Sequence, residues 1–382
     1  MTSNVGIRRS RFLVTYWQNA THLAYNYLTR TSRPCSALIV AILDATGQWT
    51  NRESVRCAVS QWEGSVIDQT IDELIRDGAI DTADRPPLPA ESALAAWESW
   101  NPVAGFFHAA TQPVSFDAAD VSGGTARFLV GRDFPSPLKQ YQDLPRLELP
   151  GFSATGQLAD VLRSRRTWCE FGEGHVTLNE VATLLGLTFG VQRWVEVGDD
   201  QWVALKSSPS GGARHSIEAY VLALGIEGLK NGTYHYCPDS HALTLLASPA
   251  SKELLAGFVP NQRWFHDPAV FVVMTSVFAR MQYKYPHPHA YRVVLLDAGH
   301  LSQTFALAAT SLGLAPFCVA ALNSTVIEQH LEIDGVSESV VHAVGVGRKP
   351  VGKEWAPMPD GAANPRTAAP AWATRSPAPT SP

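Results

Sequence analysis

Cysteine is scarce in this sequence and none of it is paired. Cys35, Cys57, Cys169, Cys237 and Cys318 lie far apart with no C-x-x-C spacing, which argues against a disulfide framework and against a paired-cysteine zinc site. They read as reduced thiols. Long apolar runs are missing as well. The longest, from Ala269 to Ala279, falls far short of the ~18 residues a membrane span needs, and Thr275 and Ser276 interrupt it. There is no basic excess either: 30 Lys and Arg stand against 35 Asp and Glu, giving a net charge of −5. A dedicated nucleic-acid binder usually shows a basic face or a pI above about 9, whereas the sequence pI is near 6.2. No apolar segment follows Arg8, Arg9 and Arg11 before Trp17-Gln18-Asn19, so no secretion signal is expected and the chain is expected in the cytoplasm. The nearest approach to a metal site is His287-Pro-His289, which sits between prolines and falls short of the roughly four ligands a structural zinc takes; no metal is expected.

What is present is an ordinary globular composition, 45% hydrophobic and 17% charged over 382 residues, long enough for two domains with a core each. Residues 1–110 begin with a patch of β-formers, Phe12-Leu-Val-Thr-Tyr-Trp17. Apolar residues then recur at three- and four-residue intervals at Ala37, Val40, Ala41 and Leu43, at Val55, Val59 and Trp62, and at Val66, Ile67, Ile71, Leu74 and Ile75. Three short helices followed by Gly78-Ala79-Ile80 predict a winged-helix-like module. Its alternatives are a peptide or protein clamp, a structural cap, or a DNA-binding unit. The last is disfavoured because Asp68, Asp72, Glu73 and Asp77 on the third helix repel phosphates. Residues 111–150 read as a connecting arm. Residues 349–382 hold eight prolines and no apolar periodicity, so they read as a disordered tail.

Between these, residues 151–348 alternate helix-like and strand-like segments. Thr177-Leu-Asn-Glu180 is a capping-box pattern opening a helix with Val181, Leu184 and Leu185 inside. Ser216–Leu224 reads as a helix and Gly232–Tyr236 as a strand entering a turn. The runs 269–278, 292–296, 317–322 and 340–346 are strands or buried helix, which short apolar runs do not decide. Gly299–Leu312 reads as a helix stopped by Gly313. The fold class expected is α+β, with a mixed, mostly antiparallel sheet flanked by helices.

Three local patterns carry chemistry. Arg163-Ser-Arg-Arg-Thr167, expected just before a helix, offers guanidinium forks and a hydroxyl that match phosphate oxygens; its plain alternative is a solvated helix end. Ser208-Pro-Ser-Gly-Gly212, expected before another helix, lets backbone donors approach an anionic or planar ligand, because glycine has no Cβ in the way; its plain alternative is a turn. Lys284-Tyr285, expected on a loop leaving the sheet edge, holds two groups able to move a proton when their surroundings favour transfer.

The order of these blocks, with Arg165-Arg-Thr-Trp-Cys-Glu-Phe171, Ser208–Tyr220, Gly232–Tyr236, Leu296-Asp-Ala-Gly-His-Leu-Ser-Gln303 and Gly313-Leu314, resembles the SagB-type dehydrogenases, the flavin-dependent azoline oxidases of the nitroreductase superfamily. The resemblance runs from about 161 to 348. It implies a nitroreductase-like fold that holds FMN. Arg165, Arg166 and Thr167 would hold the phosphate and ribityl chain; Ser210, Gly211 and Gly212 would lie against the ring; Gln303, Ala320 and Arg348 would make further flavin contacts; Lys284 and Tyr285 would be the acid/base pair. Cys169 stands where the family usually has a basic residue, and reads either as a thiol near the flavin or as a buried inert cysteine.

The activity the resemblance implies is dehydrogenation of thiazoline or oxazoline rings in a modified peptide to thiazole or oxazole, with oxygen as electron acceptor. It further implies a homodimer, a peptide substrate and a cyclodehydratase partner. Two rival readings stand beside it: an NAD(P)H-dependent nitroreductase or flavin reductase acting on small molecules, and a non-catalytic scaffold in a peptide-modifying complex.

Overall fold

The computed structural model describes residues 5–112, 147, 155–198, 201–247, 249–260, 262, 265 and 267–353. The expected connecting arm lies outside these residues except at 111, 112 and 147, and so does the expected tail beyond 353.

The centre is a six-stranded sheet in the order Ala242–Ala247, Gly232–Cys237, Ile217–Ala223, Val270–Val277, Glu338–Arg348, Leu314–Val319, with every neighbouring pair antiparallel. The strand Val270–Val277 lies in the middle and is buried on both faces. Val270, Val272 and Met274 enter one core with the helix Leu178–Phe189 and the long helix Ala290–Ser311. Phe271 and Val273 enter a second core with the helices Lys252–Phe258 and Ser324–Leu331. Helices on both faces of an antiparallel sheet give the α+β class that the sequence predicts.

Four local expectations are corrected. Ser216–Leu224 is not a helix but supplies the strand Ile217–Ala223. Its Ile217, Ala219, Val221 and Ala223 belong to one core, but Tyr220 and Leu222 on the opposite face are apolar too, so alternation was hidden and cross-strand pairing decided the matter. The Arg163–Thr167 segment closes and leaves a helix, Gln157–Ser164, rather than preceding one. Ser208–Gly212 leads into a single 3-10 turn, Gly211–Ala213, and then that strand, so no α-helix follows it. Lys284 closes the helix Phe278–Lys284 and Tyr285 caps it, so the pair sits at a helix end and not on a sheet-edge loop. The runs 292–296 and 299–312 are parts of one 22-residue helix, ended by Gly313 at φ +70°.

The first eighty residues form the three expected helices, Ala37–Ala45, Arg52–Ala58 and Gly64–Arg76. A three-stranded sheet, Leu13–Gln18, Thr21–Asn26 and Thr31–Pro34, and the paired strands Ile7–Arg9 and Ile80–Thr82 accompany them. Ile7, Ile42, Val55, Ile67, Ile71 and Leu74 fill their shared core. The acidic third helix is neutralised from within, as Arg33 pairs with Glu73 and Asp77, Arg52 with Asp72, and Arg56 with Asp68.

Short helices, Pro89–Ala95 and Val103–Thr111, occupy a stretch whose sequence looks irregular. Between them Trp97 and Trp100 are fully buried and pack on Phe278 and Tyr291. Their indole N–H groups donate to Val336 O at 3.2 Å and Tyr285 O at 2.9 Å. This segment is thereby tied to residues at the heart of the later sheet and helices.

Candidate functional site

The long helix organises the site. Asp297, His300 and Thr304 recur at spacings of three and four, which places them on one face. Each bonds the loop that enters the strand Ile217–Ala223: Ser210 Oγ donates to Asp297 Oδ2 at 2.6 Å, His300 Nδ1 donates to Pro209 O at 3.3 Å, and the Ser208 and Thr304 hydroxyls share a hydrogen bond of 2.6 Å. Gly211 N also donates to Asp297. Asp297 is 3% exposed. Burial raises its carboxyl above the usual range, against the opposing pull of Ser210 and Gly211. A buried carboxylate bonded this way fixes a loop firmly, because leaving its donors unpaired is costly.

The same loop is gripped from the other side by the helix Phe278–Lys284. Gly212 has φ +58°, and a Cβ built on it would stand 2.6 Å from Lys284 Cδ and 2.7 Å from both Lys284 Nζ and Tyr285 Oη. The glycine loop and the Lys284-Tyr285 pair, separated by seventy residues in sequence, therefore form one surface with no room for a methyl group between them. Lys284 Nζ lies 5.8 Å from the centre of the Tyr285 ring. The packing that orients Tyr285 includes the Trp100 bond to its carbonyl.

The segment Arg165-Arg166-Thr167 leaves the helix Gln157–Ser164, which packs on the long helix. Arg166 Nη1 donates to Arg163 O and Arg165 O, both at 2.7 Å, which folds its guanidinium back over the helix end. Among the described residues the Arg165 side chain makes no ion pair. Trp168 N donates to Pro316 O at 2.9 Å, fastening the segment to the sheet edge.

The remaining expected contacts lie elsewhere. Gln303 stands exposed on the long helix, one residue before Thr304. Arg348 makes a bidentate pair with Glu180 at 2.7 and 2.8 Å and donates from Nε to His175 O at 2.7 Å. Glu180 is also the capping-box residue of Thr177, so this arginine locks a helix start to the last sheet strand. Ala320 lines a separate cleft of about 180 Å³ with Phe107, His108, Tyr291, Leu295 and Leu322. Tyr291 and Leu295 flank Val293 on the long helix by two residues each way, roughly 200° of helical turn, while Val293 and Asp297 meet the glycine loop. Within one chain the long helix therefore stands between Ala320 and the loop. Cys169 is partly buried against the second core, and burial pushes its thiol up, the setting of an inert cysteine.

Two functional side chains escaped sequence reasoning. Asp297 lies inside the Leu296–Gln303 motif with no role assigned by it, although a carboxylate within Val-Val-Leu-Leu-Asp-Ala is itself a signal of a buried polar partner. Glu218 lies half-buried beside His235, which donates to it at 2.7 Å, and Arg280, which pairs with its other oxygen. Burial opposes the charge on Glu218, but these two partners hold its carboxyl below the usual range. Alternation masked by Tyr220 and Leu222 hid it.

The profile described as "Nitroreductase family" matches residues 162–348. The chain is 28% identical over 207 residues to MJ1384 of Methanocaldococcus jannaschii, a protein named for a nitroreductase, covering 54% of this chain and 98% of that one. It is 36% identical over 149 residues to the trifolitoxin-processing protein TfxB of Rhizobium leguminosarum bv. trifolii, covering 37% and 39%. It is 28% identical over 131 residues to the microcin B17-processing protein McbC of Escherichia coli, covering 33% and 48%. The chain thus spans less than half the length of each of these two processing proteins. Among the described residues no helix is long and apolar enough to cross a membrane.

Proposed function

The chain carries a nitroreductase-family domain over residues 162–348, and from that premise we propose that it is an FMN-dependent oxidoreductase that dehydrogenates thiazoline or oxazoline rings in a modified peptide. The observation that carries the reading is the contact of Gly212 with Lys284 and Tyr285. It joins a loop suited to a planar ligand with two groups suited to proton transfer. The peptide substrate rests on the motif resemblance to SagB-type dehydrogenases and on the similarity to proteins named for processing trifolitoxin and microcin B17.

The residues present fit a flavin. Gly211 and Gly212 leave the loop backbone without side chains where it seats against Val293 and against Lys284 and Tyr285, which brings the proton-transferring pair up to the loop. Arg165, Thr167 and the remaining donors of Arg166 form a set suited to a phosphate dianion. Ser210 is pre-oriented by Asp297. Gln303 and Ala320 extend this set in the proposal, while Arg348 supports it by fastening the segment around Glu180. When bound, FMN supplies the hydride-accepting ring, with oxygen as the proposed final acceptor.

The chain's own residues have two tasks. The loop Ser210–Gly212 positions the planar ligand, and Lys284 or Tyr285 accepts the proton released as the five-membered ring becomes aromatic. A positioned group of this kind contributes roughly 10²- to 10⁴-fold.

The separation of Ala320 from the loop by the long helix, with Leu158, Leu162, Leu296 and Tyr283 all more than half exposed nearby, supports a homodimer in which a second copy completes each site. We propose that the module 1–110 positions the peptide or a cyclodehydratase partner.

The test uses purified chain and FMN. Lys284→Ala and Tyr285→Phe are expected to bind FMN as the parent does and to lose about 10²-fold or more of azoline oxidation. Full turnover in both variants, or a parent that neither carries nor takes up FMN by absorbance and calorimetry, would overturn the proposal. Rapid bleaching by NADPH under anaerobic conditions would favour a nitroreductase acting on small molecules.

A further inference from the structure

The loop 208–215 holds more strain than a single turn needs. Gly212, Ala213 and His215 have φ of +58°, +55° and +43°. The left-handed region costs a residue with a Cβ about 1–2 kcal/mol, and such conformations persist only where neighbours over-determine them. Asp297 accounts for one side of the loop. On the other side, Arg280 Nη1 donates to His215 O at 3.1 Å, and Arg214 Nε donates to Gly212 O at 3.0 Å with its guanidinium 5.9 Å from the Tyr283 ring. His215 N in turn donates to Ser210 Oγ at 2.9 Å. Arg280 precedes Lys284 by four residues, one turn of the same helix.

Arg280 itself is 44% exposed at its side chain, and a long exposed side chain does not hold a strained carbonyl unaided. Its partner is Glu218, 13% exposed at the side chain, anchored in the central sheet and bonded through its second oxygen to His235. A carboxylate engaged on both oxygens has no rotamer left to swing into. Nothing in the proton transfer uses Glu218, Arg280 or His235.

We propose that Glu218 is a positioning residue of this site: through Arg280 it pins the His215 carbonyl and, one turn along the helix, the stem of Lys284, so that the glycine loop and the proton-transferring pair keep a single spacing. The kinetic part of the inference rests on Lys284 and Tyr285 being the acting pair; the structural part does not.

The experiment compares the full chain, loaded with FMN, as parent and as Glu218→Gln. That variant keeps the shape and removes the charge that orders Arg280. Amide hydrogen exchange is read over 210–216 and over the long helix, and kcat and KM are measured on an azoline-bearing peptide. Exchange over 210–216 is expected to rise at least about tenfold, the scale of losing one hydrogen bond to a charged group, while the long helix keeps its protection. Turnover falls by about 10- to 100-fold with KM unchanged, since positioning errors act on the reacting geometry. Arg280→Gln reaches the same link from its exposed end and gives the same exchange pattern even where Glu218→Gln fails to fold.

Unchanged loop exchange in the folded variants overturns the proposal. So does a rise spread evenly over the long helix, which marks general destabilisation, and so does a loosened loop with unchanged kcat. A parent that does not oxidise the peptide refutes the proposed reaction, and the exchange comparison still decides whether Glu218 locks the loop.

Discussion

Gly212→Ala places one methyl group where the structure has least room for it. At φ +58° the added Cβ costs about 1–2 kcal/mol in backbone strain, which corresponds to a fall in Tm of a few degrees for a domain of this size. The larger consequence is local. The new Cβ would lie 2.7 Å from Lys284 Nζ and from Tyr285 Oη, where non-bonded carbon contacts settle at about 3.5 Å, so each tip must retreat by roughly 0.8 Å. Lys284 has a flexible stem and yields readily. Tyr285 is rigid beyond two torsions and its backbone carbonyl is held by Trp100, so its retreat carries the ring with it. A misplacement near 1 Å costs about 10²-fold in turnover.

The assay is steady-state oxidation of an azoline-bearing peptide at saturating FMN, with FMN affinity measured separately. Turnover is expected to fall about 10²-fold while the protein stays folded. Gly211→Ala is the internal comparison, because its Cβ would meet Val293 Cγ1 at 2.5 Å on the long helix instead. It should disturb loop seating and FMN affinity more than proton transfer. A Gly212→Ala protein that is folded, fully loaded and within about twofold of parental turnover would refute the argument that this contact sets the reacting geometry.

Two further outcomes follow from other parts of the fold. His108 is 4% exposed; its Nε2 lies 2.8 Å from Gly335 O, which only accepts, so that nitrogen carries the proton and Nδ1 accepts from Tyr291 Oη at 2.8 Å. Burial depresses its pKa to about 4 from 6.5, so the stability it contributes is complete above 6.5 and lost as pH falls towards 4, a change of about 3 kcal/mol. Burial raises Glu328, which acts in the opposite sense, so the quantity to measure is the parent Tm slope between pH 7 and 4.5 minus that of His108→Gln; equal slopes would sink the assignment. Leu162→Glu, placed on an exposed apolar face, should convert the proposed homodimer to a monomer in sedimentation and lower FMN occupancy, and a variant that stays dimeric would overturn this face as the interface.

The local patterns were more legible than the central strands between them. Ser210-Gly211-Gly212 and Lys284-Tyr285 are two short-range patterns far apart in sequence, and the structure brings Gly212 of one against both residues of the other. Capping signals were equally readable, since Thr177 and Glu180 make the reciprocal bonds their spacing predicts. The central strands were not. Val270–Val277 alternates between two cores that are both apolar, so its sequence has no period to read. The same two-sided burial disguised Ile217–Ala223 as a helix and with it concealed Glu218. The order of helix and Arg-Arg-Thr segment was reversed because Gln157–Ser164 has no buried residue, leaving no apolar stripe anchored to a core.

The charges around the glycine loop bear on the proposed flavin ligand. Arg214 and Arg280 bond its carbonyls, and Lys206 lines its inner side with Asp297. Burial depresses both Lys206 and His215, and His215, held at about 4 by burial and then by Lys206, is neutral at neutral pH. The loop therefore keeps the Arg214 charge and the Arg280–Glu218 pair while shedding the His215 cation that would have repelled both arginines. Fixed positive charge in a partly desolvated setting stabilises negative charge developing on a ligand laid against it. A planar ring that gains electrons matches that requirement, and a neutral ring that never changes charge gains nothing from it. The prediction that separates the two is a lowered reduction potential of bound FMN in Arg280→Gln, because removing a nearby cation disfavours the reduced, more negative form.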